Sequence, residues 1–177
     1  MFLDEAGYML SPVVRRTYAP CGKTPVQYSW DRHDRISAIS AVTVSSRQRR
    51  KGLYFHLLPT NENVHAEDVV RFLRELRRLL RRPLTVIWDR GNVHDRARVV
   101  RDFLRKHPEI VTEQLPPYAP DLNPDEQVWT YTKYARLANY APANAEALRC
   151  TLIVELTCLR QRPDLLASFV KHTGLPL

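Results

Sequence analysis

The chain has 177 residues, a formal net charge of +8 at pH 7, and 44% apolar residues. That length suits one ordinary domain, since single cores stop growing only beyond ~250 residues, and the apolar content excludes general disorder. No apolar run approaches the ~20 residues needed to cross a bilayer. The start, Met1-Phe2-Leu3-Asp4-Glu5, puts acid where a signal peptide needs a basic flank. A soluble, cytoplasmic chain with no membrane partner is therefore expected. Cys21, Cys150 and Cys158 show no CxxC spacing, which excludes a disulfide scaffold or zinc ribbon. Cys150 and Cys158 stand in an apolar stretch and read as buried helix positions.

In chain order, Phe2-Leu3 is a short apolar strand ending on acid. Val13 to Tyr28 mixes β-branched and basic residues around Pro20, Gly22 and Pro25, as a hairpin or loop would. Arg35 to Ser45 alternates with period two, and Gly52 to Leu58 is a second β-rich run closed by Pro59. Together they predict two neighbouring antiparallel strands. From Ala66 the period changes: Val69, Leu73, Leu76 and Leu80 recur at helical spacing until Pro83. Leu84 to Trp88 is nearly continuous in apolar residues and predicts a central strand covered on both faces.

Asp95 is a candidate N-cap for a helix to Lys106, with Val99, Val100, Phe103 and Leu104 inward. Ile110 to Leu115 predicts a short strand. Helices are expected from Asn123 to Asn139, from Ala143 to Leu159 and from Asp164 to His172. Strands first, then alternating helix and strand, then helices describe a single α/β domain with a mixed sheet.

Three acids stand out by position. Asp4 follows the first strand, Asp89 ends the most apolar one, and Glu126 sits in the first turn of a helix. Sites in α/β sheets gather at strand ends. Three carboxylates converging there can hold two divalent cations ~3.5–4 Å apart, one for the attacking and one for the leaving oxygen of a phosphodiester. Magnesium suits an all-oxygen donor set. Each acid alone also has a plain structural reading. Asp4 and Glu5 fit a solvated strand end, and Asp89 fits a cap of the turn Asp89-Arg90-Gly91-Asn92. Glu126 fits a capping box behind Asn123-Pro124.

Leu115 to Trp129 (LPPYAPDLNPDEQVW) resembles the third catalytic block of mariner-related bacterial insertion-sequence transposases, with Ala119 where that pattern has Ser. Phe2-Leu3-Asp4-Glu5 resembles the first block, and Val86-Ile87-Trp88-Asp89 with His94 the second. Thirty-six residues separate Asp89 from Glu126, a spacing similar to that group's. The resemblance runs to about Trp129. It implies an RNase H-like fold in which Asp4, Asp89 and Glu126 bind two Mg²⁺, with Mn²⁺ as a substitute. It further implies cleavage and strand transfer on double-stranded DNA, both element ends and target, by a homodimer in the bacterial cytoplasm at the nucleoid.

The chain departs from the pattern at Arg90, where Asn usually follows the Asp; here Asn92 stands two places on. Glu5, Arg90, Asn92 and His94 are candidate accessory residues. The N-terminal helix-turn-helix region of that family is also expected to be absent, leaving one catalytic domain.

Arg71, Arg74, Arg78 and Arg81 repeat at helical spacing, and Arg47, Arg49, Arg50 and Lys51 cluster on an expected hairpin tip. Both clusters are candidate DNA contacts, although helices on opposite sides of the sheet cannot reach the same DNA. Trp30, Trp88 and Trp129 read as core. Two other functions fit the same features: an inactive basic nucleic-acid-binding domain derived from a transposase, and a plain RNase H-like nuclease.

Overall fold

The structure, a computed structural model, describes residues 1–28, 33–45, 50–94 and 96–175. Five strands form one mixed sheet: β1 (Phe2–Met9), β2 (Arg35–Val44), β3 (Lys51–Thr60), β4 (Leu84–Trp88) and β5 (Ile110–Gln114), in the order β3-β2-β1-β4-β5. β1, β2 and β3 pair antiparallel, while β4 pairs parallel to both β1 and β5. Parallel neighbours need long crossovers. Here helix α1 (Ala66–Leu80) links β3 to β4, and α2 (Arg98–Lys106) links β4 to β5. The C-terminal part adds α3 (Pro124–Tyr131), a wide π-type turn at Thr132–Arg136, α4 (Ala145–Arg160) and α5 (Pro163–His172). This is the expected α/β class with a mixed sheet and helices on both faces.

Alternation along the strands sorts the core into two halves. Leu3, Ile39, Ala41, Val86 and Trp88 point to one face and pack with Val69, Leu73 and Leu76 of α1 and Val100 and Phe103 of α2. Tyr8, Ile36, Ala38 and Val42 point to the other and pack with Val128, Trp129, Leu152 and Leu156 from α3 and α4, and with Leu166 of α5. Each fully buried Leu contributes ~1.5–3 kcal/mol relative to exposure.

α1 starts with a capping box in which the His65 N–H donates to Asp68 Oδ2 at 3.0 Å. It ends where Arg81 turns left-handed at φ 50°, donating its N–H to Arg77 O before Pro83 forbids continuation.

Several expectations need correction. β1 does not stop at Asp4 but runs to Met9, so Asp4 lies inside a strand. β4 is covered on one face only: Leu84, Val86 and Trp88 are buried, whereas Thr85 is exposed and Ile87 half-buried, because α3 to α5 do not extend beneath it. β3 continues through Pro59, which an edge strand tolerates beside the register shift opposite Ile36 and Ala38. α2 begins at Arg98 behind Ala97, and Val99 faces outward; the proposed cap Asp95 lies outside the described residues. The helix from Asn123 stops at Tyr131, not Asn139. Cys150 and Cys158 are exposed, since Leu148, Leu152, Leu156 and Leu159 take the inner stripe of α4. Trp88 and Trp129 are core as expected, and Trp30 lies outside the described residues. No helix among the described residues is long and apolar enough to cross a membrane.

Candidate active site

The β1–β4 register sets the site. Phe2 is level with Ile87, the single pair that joins these strands. Two residues further along each chain come Asp4 and Asp89, on the same face by the two-residue alternation. The strands part at this level, and the opening is a cleft of about 530 Å³. Asp4, Asp89 and Glu126 all line it, with Arg90, Arg96 and Asn123 and the wall formed by residues 115–120. The three acids picked from sequence therefore reach one cavity from a strand, a strand end and a helix start.

Glu126 is aimed by the start of α3. Asn123 caps the helix, its side chain accepting from the Asp125 N–H at 3.1 Å, and Pro124 follows as the first helical residue. Asp125 then locks this turn onto the sheet. Fully buried, it accepts from Ser40 Oγ at 2.5 Å and from the Val42 N–H at 3.1 Å. Burial pushes its carboxyl up to about 7, against those two hydrogen bonds.

Asp4 carries the most strained charge. Burial is the largest cause, and Asp125, Glu126 and Glu5 add repulsion, so its pKa is held well above the usual carboxylate range despite the Glu5 N–H donated at 2.9 Å. Lys133 is a cation coupled to these acids. Half-buried, it lies 5.3 Å over the Tyr8 ring; burial lowers its pKa, while Glu126 and Asp4 pull it back up. The sequence reading missed Lys133 and Asp125. A signal was available for the lysine, because positions seven apart share one helix face and Glu126 and Lys133 are seven apart.

Asp89 is held from behind. Its Oδ1 accepts from the Gly91 N–H at 2.8 Å and from His94 Nδ1 at 2.9 Å, while its carboxylate stays 62% exposed. A Cβ on Gly91 would sit 2.9 Å from that oxygen and 3.1 Å from Nδ1, so the turn has room only for glycine. His94 is fully buried, stacked on Trp88 at 4.7 Å and 6°, and its Nε2 bonds Glu5 Oε1 at 2.9 Å. With a carboxylate on each ring nitrogen, both nitrogens must donate, which requires the imidazolium. Burial opposes that charge, but the Glu5 hydrogen bond and the charges of Glu5 and Asp89 outweigh it and raise the pKa.

Glu5 therefore belongs to the opposite face of the sheet from Asp4, where it positions His94; it is not a cleft residue. Arg90 and Arg96 line the cleft, whereas Asn92 is exposed and accepts from Arg96 at 3.4 Å. Tyr118 stands at the rim, fully exposed and left-handed at φ 57°, a conformation that costs a tyrosine energy.

The three carboxylates that line the cleft make an all-oxygen donor set, which fits a hard divalent ion. Among the described residues, no three His, Cys, Asp or Glu side chains are gathered closely enough to hold an ion as they stand. Asp89 is committed to His94 and Gly91 through one oxygen.

The proposed DNA-contact arginines do not form one free face. Arg71 pairs with Asp68 at 3.4 Å, and Arg74 lies over the Phe103 ring at 5.8 Å. Arg78 and Arg81 border a basin with Arg77 and Arg82, at the end of the sheet away from the cleft. Arg50 is exposed just before β3; Arg47 and Arg49 lie outside the described residues.

A family model described as DDE superfamily endonuclease matches residues 1–149. Among solved structures, the mariner Mos1 paired-end complex with Mg is similar over 98% of this chain and 52% of that one, at 19% identity and a TM-score of 0.66. The Mos1 paired-end complex with left transposon end is similar over 98% and 55%, at 19% and 0.63. The isolated catalytic domain of Mos1 mariner transposase is similar over 99% and 83%, at 17% and 0.55. The fold is thus that of the Mos1 catalytic domain, and the chain spans about half the length of the Mos1 chains in the complexes. No curated protein matches.

Proposed function

The chain belongs to the DDE superfamily of endonucleases, and from that premise we propose that it is the DNA-cutting and strand-transferring domain of a transposase. One observation carries this reading: three acids from three separate elements line one cleft, and Asp4 is half-buried there beside like charges. Asp4, Asp89 and Glu126 would hold a pair of Mg²⁺ ions, or Mn²⁺ in their place. When bound, such a pair supplies activation of the attacking oxygen and stabilisation of the leaving oxygen of a phosphodiester.

The chain's own residues do the rest. Asp4 is the fixed floor, carried on a strand paired along its length with β2. Asp89 is oriented by His94, itself fixed by Trp88 and Glu5, so that its exposed carboxylate meets the cleft from a constant direction. Glu126 is delivered by a helix start pinned to β2 through Asp125. Arg90 and Arg96 stand ready for phosphate oxygens. The same cleft would then take the 3′-hydroxyl left by cleavage as the nucleophile on target DNA, with double-stranded element ends and target as substrates. Similarity to structures of paired-end complexes supports a homodimer as the working form.

The test is plasmid nicking with Mg²⁺ and with Mn²⁺. Asp89→Asn and Glu126→Gln should each lower the rate by ~10³-fold or more, since a ligand to the ions is worth several kcal/mol, with an unchanged fold by circular dichroism. Parent-level nicking by either variant would overturn the assignment.

A further inference from the structure

Charge is divided unevenly between the two helical layers. Residues 66–106, which build α1, β4 and α2, carry twelve Lys and Arg against six Asp and Glu, whereas residues 107–177 carry six against eight. The C-terminal layer also uses its cations internally. Arg149 donates to Leu57 O and Leu58 O, Arg160 to Leu53 O, and Arg136 pairs with Glu155. Those of α2 face solvent. Arg98 and Arg105 are 89% and 78% exposed and share the carboxylate of Asp102, while Arg101 donates to the Arg96 carbonyl.

Topology gives this surplus a direction. Because α2 joins two parallel strands, it runs back against them from the cleft end of the sheet. Arg96, just before its first turn, lines the cleft. Arg98, Arg101 and Arg105 follow at spacings of three and four along the outer face. Just past the far end of α2, Glu109 pairs with Arg77 in the basin that Arg78, Arg81 and Arg82 also line, leaving a surplus of arginine there, and Arg74 over Phe103 joins α1 to α2.

A solvated face with cations favoured by helix C-termini would account for Arg105 and for the basin. It does not account for Arg96, Arg98 and Arg101. Arg96 and Arg98 stand at the start of α2, where the helix dipole disfavours cations and the first turn holds no acid, and Arg101 follows one turn on along the same exposed face. An anionic partner along this face resolves the mismatch.

We propose that the outer face of α2, from Arg96 at the cleft through Arg98, Arg101 and Arg105 to the arginine basin, is the bed for the duplex flanking the cleavage point. α2 is about 13 Å long, a length over which duplex DNA presents ~8 phosphates. The inference rests on the reading of the cleft as a DNA-cutting site, and adds the path the substrate takes to it.

The experiment uses the whole chain and a short duplex of arbitrary sequence. Binding is titrated between roughly 50 and 200 mM salt, beside nicking at increasing DNA. The triple variant Arg98→Ala, Arg101→Ala, Arg105→Ala changes only exposed helix positions, and alanine favours helix; a melting curve verifies its fold. The slope of log affinity against log salt should become shallower by ~2–3, near 0.9 for each phosphate that is no longer neutralised. Half-saturating DNA should rise about tenfold or more, with the saturated rate unchanged. The matched triple Arg136→Ala, Arg162→Ala, Lys171→Ala on the other layer should leave the slope as it was.

A parental slope in the α2 triple, or an equal loss in the matched triple, overturns the proposal. If the parent binds with an α2-dependent slope yet never nicks, the path stands and the catalytic reading falls. If it nicks and the α2 triple behaves as the parent, the path falls and the catalytic reading stands.

Discussion

The two faces of β1 treat adjacent acids in opposite ways. Glu5 points toward α1 and α2 and meets His94, which carries its charge on to Asp89; this acid is neutralised within a closed chain of hydrogen bonds. Asp4 points toward α3 and the like charges of Asp125 and Glu126, and among the described residues its direct partner is the Glu5 backbone N–H. A compensated buried acid builds structure, whereas clustered uncompensated acids store repulsion that a cation relieves. One residue of alternation separates the two. The difference gives the neighbouring carboxylates different surroundings: Glu5 fixes the direction of Asp89, and Asp4, on the proposed reading, would hold an ion.

The comparison breaks most decisively at Asp4. If its carboxylate is held against repulsion for the sake of the ions, Asp4→Asn should lose nicking by ~10³-fold or more and yet melt at a higher temperature than the parent in metal-free buffer. Mg²⁺ or Mn²⁺ should raise the melting temperature of the parent and have little effect on the variant. A lower melting temperature for Asp4→Asn without metal would show that the carboxylate stabilises the fold, and the contrast with Glu5 would disappear.

On the other face the expected effect is on stability. His94→Ala strands Glu5 without its cation and removes the stack on Trp88. Breaking a buried ion pair from one side costs about 3–5 kcal/mol, read as a shift of the urea midpoint. Because Asp89 loses its anchor as well, nicking should fall too. Glu5→Gln keeps a hydrogen-bond partner for Nε2 and should recover most of the stability of the parent. If His94→Ala unfolds at the parental midpoint, the chain from Glu5 to Asp89 contributes nothing and the face has no structural role.

Much of this was legible in the sequence. The helices of the α1/α2 layer followed from apolar spacing, and Pro83 marked the end of the first. The three cleft acids followed from their places beside apolar runs, with the start of α3 announced by Asn123-Pro124. What could not be read was pairing. The sequence shows Asp4 and Glu5 side by side, but which face each takes depends on the register of β1 in the sheet, set by its pairing with β2 along its length and by one level pair with β4. The sheet order also left the lower face of β4 open, which an apolar run from Leu84 to Trp88 conceals. Asp125 carries no mark in the sequence beyond its place in the first turn of α3, and only its insertion between Ser40 and Val42 shows that it ties α3 to the sheet. The α2 arginines were hidden for another reason: their meaning depends on which end of the helix lies at the cleft.

The smallest effect separates the two faces by pH. Asp4 and Asp125 have folded-state pKa values above those of the unfolded chain, so the folded state binds more protons and stability falls as pH rises from the usual carboxylate value toward the folded one, about 7 for Asp125. His94 is also raised, so its contribution is complete below the unfolded value of ~6.5 and is lost as pH climbs through the folded one. All three act with the same sign but in different windows. In metal-free buffer, urea midpoints should fall from about pH 4 toward pH 8, as order-of-magnitude bounds on those windows. Asp125→Asn should flatten the part below neutrality, and Glu5→Gln, which lowers the hold on the imidazolium, should flatten the part above it. If Glu5→Gln flattens the acid limb instead, the charge of Glu5 acts on the cleft acids and the two faces of β1 form one electrostatic unit.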